Sequence, residues 1–288
     1  LDLSFCDLRG VIVPETLPTS LKALDIRQAR NIPPELMSRA LASDSIEELD
    51  LSDCDLRRVI VPETLSTSLK ALDLARATNI PSALISRITK IEELNLTCCD
   101  LRGVIVPETL PASLKIVSLM VARNIPPELI LRILASDSIE ELSLYDCDLS
   151  GVIVPENLPT SLKTLGLYLA RNIPPELISR ALASDSIEQL DLTICDLRRV
   201  IVPETLPASL KALNLHQARN IPPALISRIL NSTNIEELDL YGCDLRGVIV
   251  PETLPASLKA LNLHQARNIP SELISRALAD SIEQLDLT

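Results

Sequence analysis

Ile46–Leu56 reads I-E-E-L-D-L-S-D-C-D-L, and Leu69–Ile80 reads L-K-A-L-D-L-A-R-A-T-N-I. In each stretch two leucines flank one polar residue, the alternation of a half-buried strand. Leu49 and Leu51 should turn inward and Asp50 outward. Both stretches fit the template L-x-x-L-x-L-x-x-N/C-x-L, in which a short strand is followed by a return path. Leu21 to Ile46 is 25 residues and Ile46 to Leu69 is 23, so one turn of chain alternates between a longer and a shorter return.

Outward from these stretches, the pattern covers the whole chain. Two coils make a unit of about 48 residues, and units span 1–48, 49–93, 94–141, 142–189, 190–237 and 238–284, with a partial seventh from Leu285. Val200–Pro222 repeats residue for residue as Val248–Pro270. A solenoid grows by stacking such units on one continuous core, so a single domain is expected over 1–288. Thirteen parallel strands about 4.8 Å apart should form a curved sheet on the concave face.

The longer return carries N-I-P-P-E-L-I-S-R-A-L-A-S at Asn172–Ser184. Proline is tolerated in a first helical turn, where its missing N–H has no partner to lose. Glu176 favours the same end through the helix dipole, and Leu177, Ile178, Ala181 and Leu182 supply a buried stripe. A short convex helix is expected in every unit. The shorter return, G-V-I-V-P-E-T-L-P-A-S-L at Gly103–Leu114, is too rich in proline for a helix and should be extended.

The chain resembles the leucine-rich-repeat superfamily. The expected fold is therefore an α/β solenoid, a curved horseshoe with alternating helical and extended convex coils. The P-E-T-L-P-A-S-L-K-A-L segment is similar to the L-P-x-S-L-x-x-L repeats of bacterial secreted effectors and to FNIP-type repeats. The A-R-N-I-P segment is similar to the latter, with Arg in place of Phe. The superfamily resemblance implies a protein-recognition scaffold. The effector likeness implies a targeting segment that could be delivered into a host cell.

Composition narrows the function. Hydrophobic residues make up 47% but aromatics only 1%, so Leu, Ile, Val and Ala must fill the core. The net charge of −12 argues against nucleic acid, which needs a basic surface to displace counterions, and against an anionic membrane surface. No apolar run reaches the roughly 18 residues of a membrane helix. The chain begins inside a repeat, and no secretory signal is legible at Leu1.

Cys6, Cys54, Cys99, Cys147, Cys195 and Cys243 share the N/C slot of the template, and only Cys98 lies outside it. Successive members should stand two strand spacings apart, roughly 10 Å, beyond the reach of a disulfide. A linear ladder does not converge on a metal either. Reduced, buried structural thiols are expected, which places the chain in the cytoplasm or another reducing compartment. No metal and no cofactor is expected.

The outward residue between the strand leucines is Asp or Asn in most coils, among them Asp25, Asp50, Asp73, Asn95, Asp191, Asn214, Asp239 and Asn262. Like charges side by side repel unless solvated or paired, so this reads as a solubilising strip, with a cation- or Lys/Arg-binding strip as the alternative. Two residues further on the column is Ser4, Arg27, Ser52, Ala75, Thr97, Met120, Tyr145, Tyr168, Thr193, His216, Tyr241, His264 and Thr288. It holds every tyrosine and histidine of the chain. Tyrosine is a favoured anchor at interfaces. The column, with Val121, Leu169 and Ile194 beside it, is the candidate binding patch, and Arg27, Met120, Tyr145, Tyr168, Leu169, His216, Tyr241 and His264 are its candidate contacts.

Two arginine columns (Arg30, Arg123, Arg171, Arg219, Arg267; and Arg39, Arg87, Arg132, Arg180, Arg228, Arg276) and the glutamates Glu15, Glu63, Glu108, Glu156, Glu204 and Glu252 read as solvated ladders that pair between coils. No phosphate-binding glycine loop occurs, and His216 and His264 are copies of one another without a unique acid or nucleophile beside them. A non-catalytic scaffold binding a protein or peptide is expected. The alternative is head-to-tail self-association, because the chain opens on L-D-L and closes on L-D-L-T with no polar cap.

Overall fold

The computed structural model describes residues 1–279 and 282–287. Its residues fall into two compact units, Leu1–Leu142 with Gly151–Ile153, and Ser143–Ser150 with Val154–Thr288. Both are built from short parallel strands of three residues, joined by alternating longer and shorter returns.

In the first unit β1 (Ala23–Asp25), β2 (Glu48–Asp50), β3 (Ala71–Asp73), β4 (Glu93–Asn95) and β5 (Ile116–Ser118) pair in parallel and in chain order. Leu24, Leu49, Leu72, Leu94 and Val117 stand in one register. β6 (Glu141–Ser143) spans the division. In the second unit β7 (Thr164–Gly166), β8 (Gln189–Asp191), β9 (Ala212–Asn214), β10 (Glu237–Asp239), β11 (Ala260–Asn262) and β12 (Gln284–Asp286) repeat the arrangement. Leu49 and Leu51 are both buried, as are Leu238 and Leu240. Each such leucine contributes about 1.5–3 kcal/mol by leaving water.

Twelve strands are formed among the described residues, one fewer than the thirteen expected. The first L-D-L is an isolated bridge, Asp2 to Asp25. Its ladder is cut to the Leu1 ammonium on the Ala23 carbonyl (2.8 Å), the Asp25 N–H on the Leu1 carbonyl (3.0 Å) and the Leu3 N–H on the Asp25 carbonyl (2.8 Å).

Nine of the twelve strands end in Asp or Asn, and β5, β6 and β7, which end in Ser118, Ser143 and Gly166, are equally short. The Asp or Asn there turns its side-chain oxygen onto the backbone N–H two residues on, an Asx turn. Asp50 Oδ1 accepts from Ser52 (2.8 Å), Asn95 Oδ1 from Thr97 (3.0 Å), Asp191 Oδ1 from Thr193 (2.9 Å) and Asp239 Oδ1 from Tyr241 (2.8 Å). The acidic strip is therefore a set of turn formers. The residue that follows the column position is left-handed in coil after coil: Gln28, Asp53, Arg76, Val121, Leu169, Ile194, Gln217 and Gln265 lie at φ between +51° and +64°.

The longer returns form α1 (Pro34–Ala42), α2 (Pro127–Leu134), α3 (Pro175–Ala181), α4 (Pro223–Leu230) and α5 (Ser271–Ala277). α3 buries Leu177, Ile178 and Ala181, with Leu182 buried at its C-cap, the stripe read from its sequence. The second coil pair departs from the expectation of a helix in every unit, with a single 3₁₀ turn at Ile85–Arg87. Its return reads P-S-A-L-I-S-R-I-T-K, with neither the second proline nor the first-turn glutamate, and the unit is 45 residues long. Too little chain remains to propagate an α-turn.

Among the described residues, the arginine column at Arg39, Arg87, Arg180 and Arg228 does not pair with glutamate. Each Nη1 reaches across to the extended return of the previous coil and donates to a backbone carbonyl: Val13 (2.7 Å), Val61 (2.6 Å), Val154 (2.7 Å) and Val202 (2.7 Å). The same atoms also meet the carbonyls of Pro14, Pro62, Pro155 and Pro203. An extended segment outside the sheet has carbonyls without ladder partners, and the guanidinium supplies donors for them. Arg132 differs, pairing with Glu128 one helical turn away at 3.1 Å.

Candidate functional site

The second unit carries the chemically distinctive surface. Tyr145, Tyr168, Thr193, His216, Tyr241 and His264 each lie just past a strand position, and the next residue ties each coil to its neighbour. Asp146 N–H donates to the Tyr168 carbonyl (2.9 Å), Leu169 N–H to Thr193 (3.1 Å), Ile194 N–H to His216 (2.8 Å), Gln217 N–H to Tyr241 (2.7 Å) and Gly242 N–H to His264 (2.9 Å). The six residues thus form one continuous column on the outer face of the sheet.

Register at the strand spacing brings the rings into contact. Tyr145 and Tyr168 stack with centroids 4.6 Å apart and planes 12° from parallel. His216 and Tyr241 stack at 4.2 Å and 3°, and Tyr241 and His264 at 5.0 Å and 24°. Stacked aromatics of this kind gain about 0.5–1.5 kcal/mol beyond simple burial. Asx turns hold the backbone beneath the second group of rings: Asn214 Oδ1 accepts from His216 N–H (2.9 Å) and Asn262 Oδ1 from His264 N–H (3.0 Å). His216 Nδ1 faces Asp239 at 3.8 Å, and His264 Nδ1 faces Asp286 at 3.7 Å.

The other candidate contacts are placed as follows. Leu169 is half-buried in the left-handed turn beside Tyr168. Arg27 and Met120 belong to the first unit. Arg27 pairs with Asp25 at 2.8 Å and lies 3.9 Å from Asp50, and Met120 is half-buried. Thr288 lies outside the described residues. A cavity of about 800 Å³ opens beside the stack in the second unit, lined by Ile194, Gln217, Gly242 and Gln265, each next in sequence to a column residue, and by Arg219 and Arg267.

All seven cysteines are free thiols. Cys54, Cys99, Cys147, Cys195 and Cys243 are buried, but Cys6 is exposed, contrary to a fully buried ladder. Cys99 Sγ donates to the Leu74 carbonyl (2.9 Å) and Cys243 Sγ to Leu215 (3.0 Å). Burial pushes the thiols of Cys54, Cys99, Cys195 and Cys243 up to about 12. Such thiols stay protonated and poor as metal ligands. Among the described residues no group of three or more His, Cys, Asp or Glu is placed to hold a metal ion. No helix there is long and apolar enough to cross a membrane.

A second repeated column went unread in the sequence. Ile12, Ile60, Ile105 and Ile153 in the first unit are exposed, Ile12 at 92%, and so are Ile201 and Ile249 in the second. In V-I-V the first valine is buried at Val59, Val104, Val200 and Val248, while Val11 is exposed, and the isoleucine N–H is held by a helix serine: Ile60 by Ser38 Oγ (3.0 Å), Ile201 by Ser179 (2.8 Å) and Ile249 by Ser227 (2.8 Å). Three apolar residues in a row conceal the alternation.

No protein-family model and no curated protein matches the chain. Among solved structures it is similar to YopM from Yersinia enterocolitica WA-314, at 19% identity and a TM-score of 0.40, over 96% of this chain and 61% of that one. It is also similar to a leucine-rich-repeat protein of Leptospira interrogans, at 18% identity and a TM-score of 0.37, over 100% of this chain and 95% of that one. The chain thus spans about three fifths of the length of YopM.

Proposed function

We propose that the outer sheet face of the second unit is a recognition surface for a protein or peptide, and that the chain works by binding rather than by catalysis. One observation carries the reading: the chain's tyrosines and histidines stack in register above buried leucines, although aromatics are only 1% of the sequence. A rigid aromatic surface loses little entropy when a partner covers it, which is why such residues anchor interfaces. The adjoining cavity of about 800 Å³ would extend the contact beyond the stack. No chemistry is concentrated at one point: the histidines repeat, and each faces one carboxylate at 3.7–3.8 Å. Seven free thiols support a reducing compartment as the place of action.

The test is a selection of peptides from a random twelve-residue library displayed on phage, followed by amide spectra of the labelled chain with the tightest peptide. The proposal expects shifts concentrated at Tyr145, Tyr168, His216, Tyr241 and His264. Shifts confined to α3, α4 and α5 or to the Ile201 and Ile249 column would overturn it.

A further inference from the structure

The aromatic column of the second unit is interrupted once. Tyr145 and Tyr168 stack, His216, Tyr241 and His264 stack, and Thr193 stands between the two groups. Among the described residues no ring contact joins Tyr168 to His216. The register is nevertheless continuous there, since Leu169 bonds to Thr193 and Ile194 to His216. One ring is missing from an otherwise regular ladder. The faces of Tyr168 and His216 are left two strand spacings apart, about 9.6 Å. A flat group midway would sit about 4.8 Å from each face, within the range of aromatic stacking. Rings on adjacent coils of the same column stand 4.2–5.0 Å apart.

The floor and flank of this slot select its occupant. Thr193 forms the floor, only 6% exposed. Beside it Asp191 gives one carboxylate oxygen to the Thr193 N–H at 2.9 Å and forms no ion pair among the described residues. Asp239 faces His216, so Asp191 is set apart as the carboxylate next to the gap. The coil before it places Gly166 at the paired position, with no side chain over the carboxylate. A planar cation meets all of these features. Its faces stack on Tyr168 and His216, and its N–H groups reach the second oxygen of Asp191. An ammonium has the charge without the plane, and an apolar ring has the plane without the charge.

We infer that the slot bounded by Tyr168, Thr193, His216 and Asp191 receives an arginine side chain of the partner. This rests on the reading of the sheet face as a recognition surface and adds the chemistry of one contact to it. Two substitutions that the repeat already uses in equivalent coils test it without threatening the fold. Tyr occupies the position of Thr193 at 145, 168 and 241, and Asn occupies that of Asp191 at 95, 214 and 262.

The experiment titrates the labelled chain with blocked Gly-Gly-Arg-Gly-Gly and with the same peptide carrying Lys or Leu. The arginine peptide should shift the amides of Tyr168, Thr193, Ile194 and His216 in a saturable way. The lysine peptide should bind about tenfold more weakly, the scale of a partly desolvated cation–π contact, and the leucine peptide not at all. Thr193→Tyr, which completes the stack, should weaken the arginine peptide by a similar factor, and Asp191→Asn should weaken it as well. Equal binding of the lysine peptide, wild-type affinity in Thr193→Tyr, or no saturable shift at these amides would each overturn the inference. A library-selected peptide that keeps its affinity for Thr193→Tyr but loses it when Tyr145, Tyr168 and Tyr241 become Ser would remove the slot and leave the recognition surface standing.

Discussion

The side-chain nitrogen of Asn172 donates a 2.9 Å hydrogen bond to the carboxylate of Asp148, one coil earlier. The same oxygen accepts from the Ser150 backbone at 3.0 Å, and these bonds hold the Asp148 carboxyl at about 2. The link recurs as Asn31 on Asp7, Asn79 on Asp55, Asn124 on Asp100, Asn220 on Asp196 and Asn268 on Asp244, at 2.7–2.8 Å. Asn is suited to its end of the pair, because each of these residues is left-handed, at φ between +52° and +55°.

A pH dependence follows. A carboxyl whose pKa is lower folded than unfolded stabilises fully above the unfolded value, near 3.8 for Asp148, and the contribution disappears as pH falls through about 2. Asp7, Asp55, Asp100, Asp196 and Asp244 are shifted in the same direction, chiefly by their hydrogen bonds. Urea midpoints should hold steady from pH 7 to about 5 and fall steeply toward pH 2. The gap between wild type and Asp148→Asn should close over the lower part of that range. A gap unchanged at pH 2 would contradict the role given to this carboxylate.

The cysteines divide by burial. Iodoacetamide applied to the native chain should modify Cys6 and Cys98 and spare the other five, which are buried. Intact mass should then show two added groups, and seven after denaturation. More than two under native conditions would mean that the ladder opens readily.

The arginines that bridge helix and extended return should matter more than the glutamates near them. Arg228→Ala removes the donor on the Val202 carbonyl and should cost about 2 kcal/mol, the scale of a charged hydrogen bond to a partly buried group. Glu204→Ala should change stability by less than about 0.5 kcal/mol. Equal losses from the two would restore the view of a simple charge ladder.

Ile194 sits at φ +64° and Val121 at +58°, where a β-branched residue is strained by about 1–2 kcal/mol. Gly242 occupies the equivalent turn at φ +66°. Ile194→Asn should therefore raise the unfolding free energy by about 1 kcal/mol in urea titration. A loss of similar size would show that the packing of this side chain outweighs its backbone strain.

The strands, the inward leucines, the cysteine slot and the Tyr/His column were all legible, because each recurs at a fixed offset and periodicity alone sorts inward from outward. What escaped was contact between distant residues. Nothing local marks Arg39 as a partner of Val13, 26 residues away. Asp50 read as an unfavourable surface charge because its bond to the Ser52 N–H is a matter of turn geometry, not of pattern. Val121 and Ile194 read as patch residues, whereas the turn also forces them into left-handed backbone. The stacking of Tyr241 between His216 and His264 follows from register once the strands are aligned. The gap at Thr193 shows only when ring contacts are placed on that register.

The most direct test of the recognition surface is the affinity of the tightest library-selected peptide, measured by titration calorimetry, for wild type and for the Tyr145→Ser, Tyr168→Ser, Tyr241→Ser variant. With the fold intact by circular dichroism, the variant should bind at least about 30-fold more weakly, the loss expected when an aromatic anchor contributing about 2 kcal/mol is removed. An unchanged affinity would contradict the account.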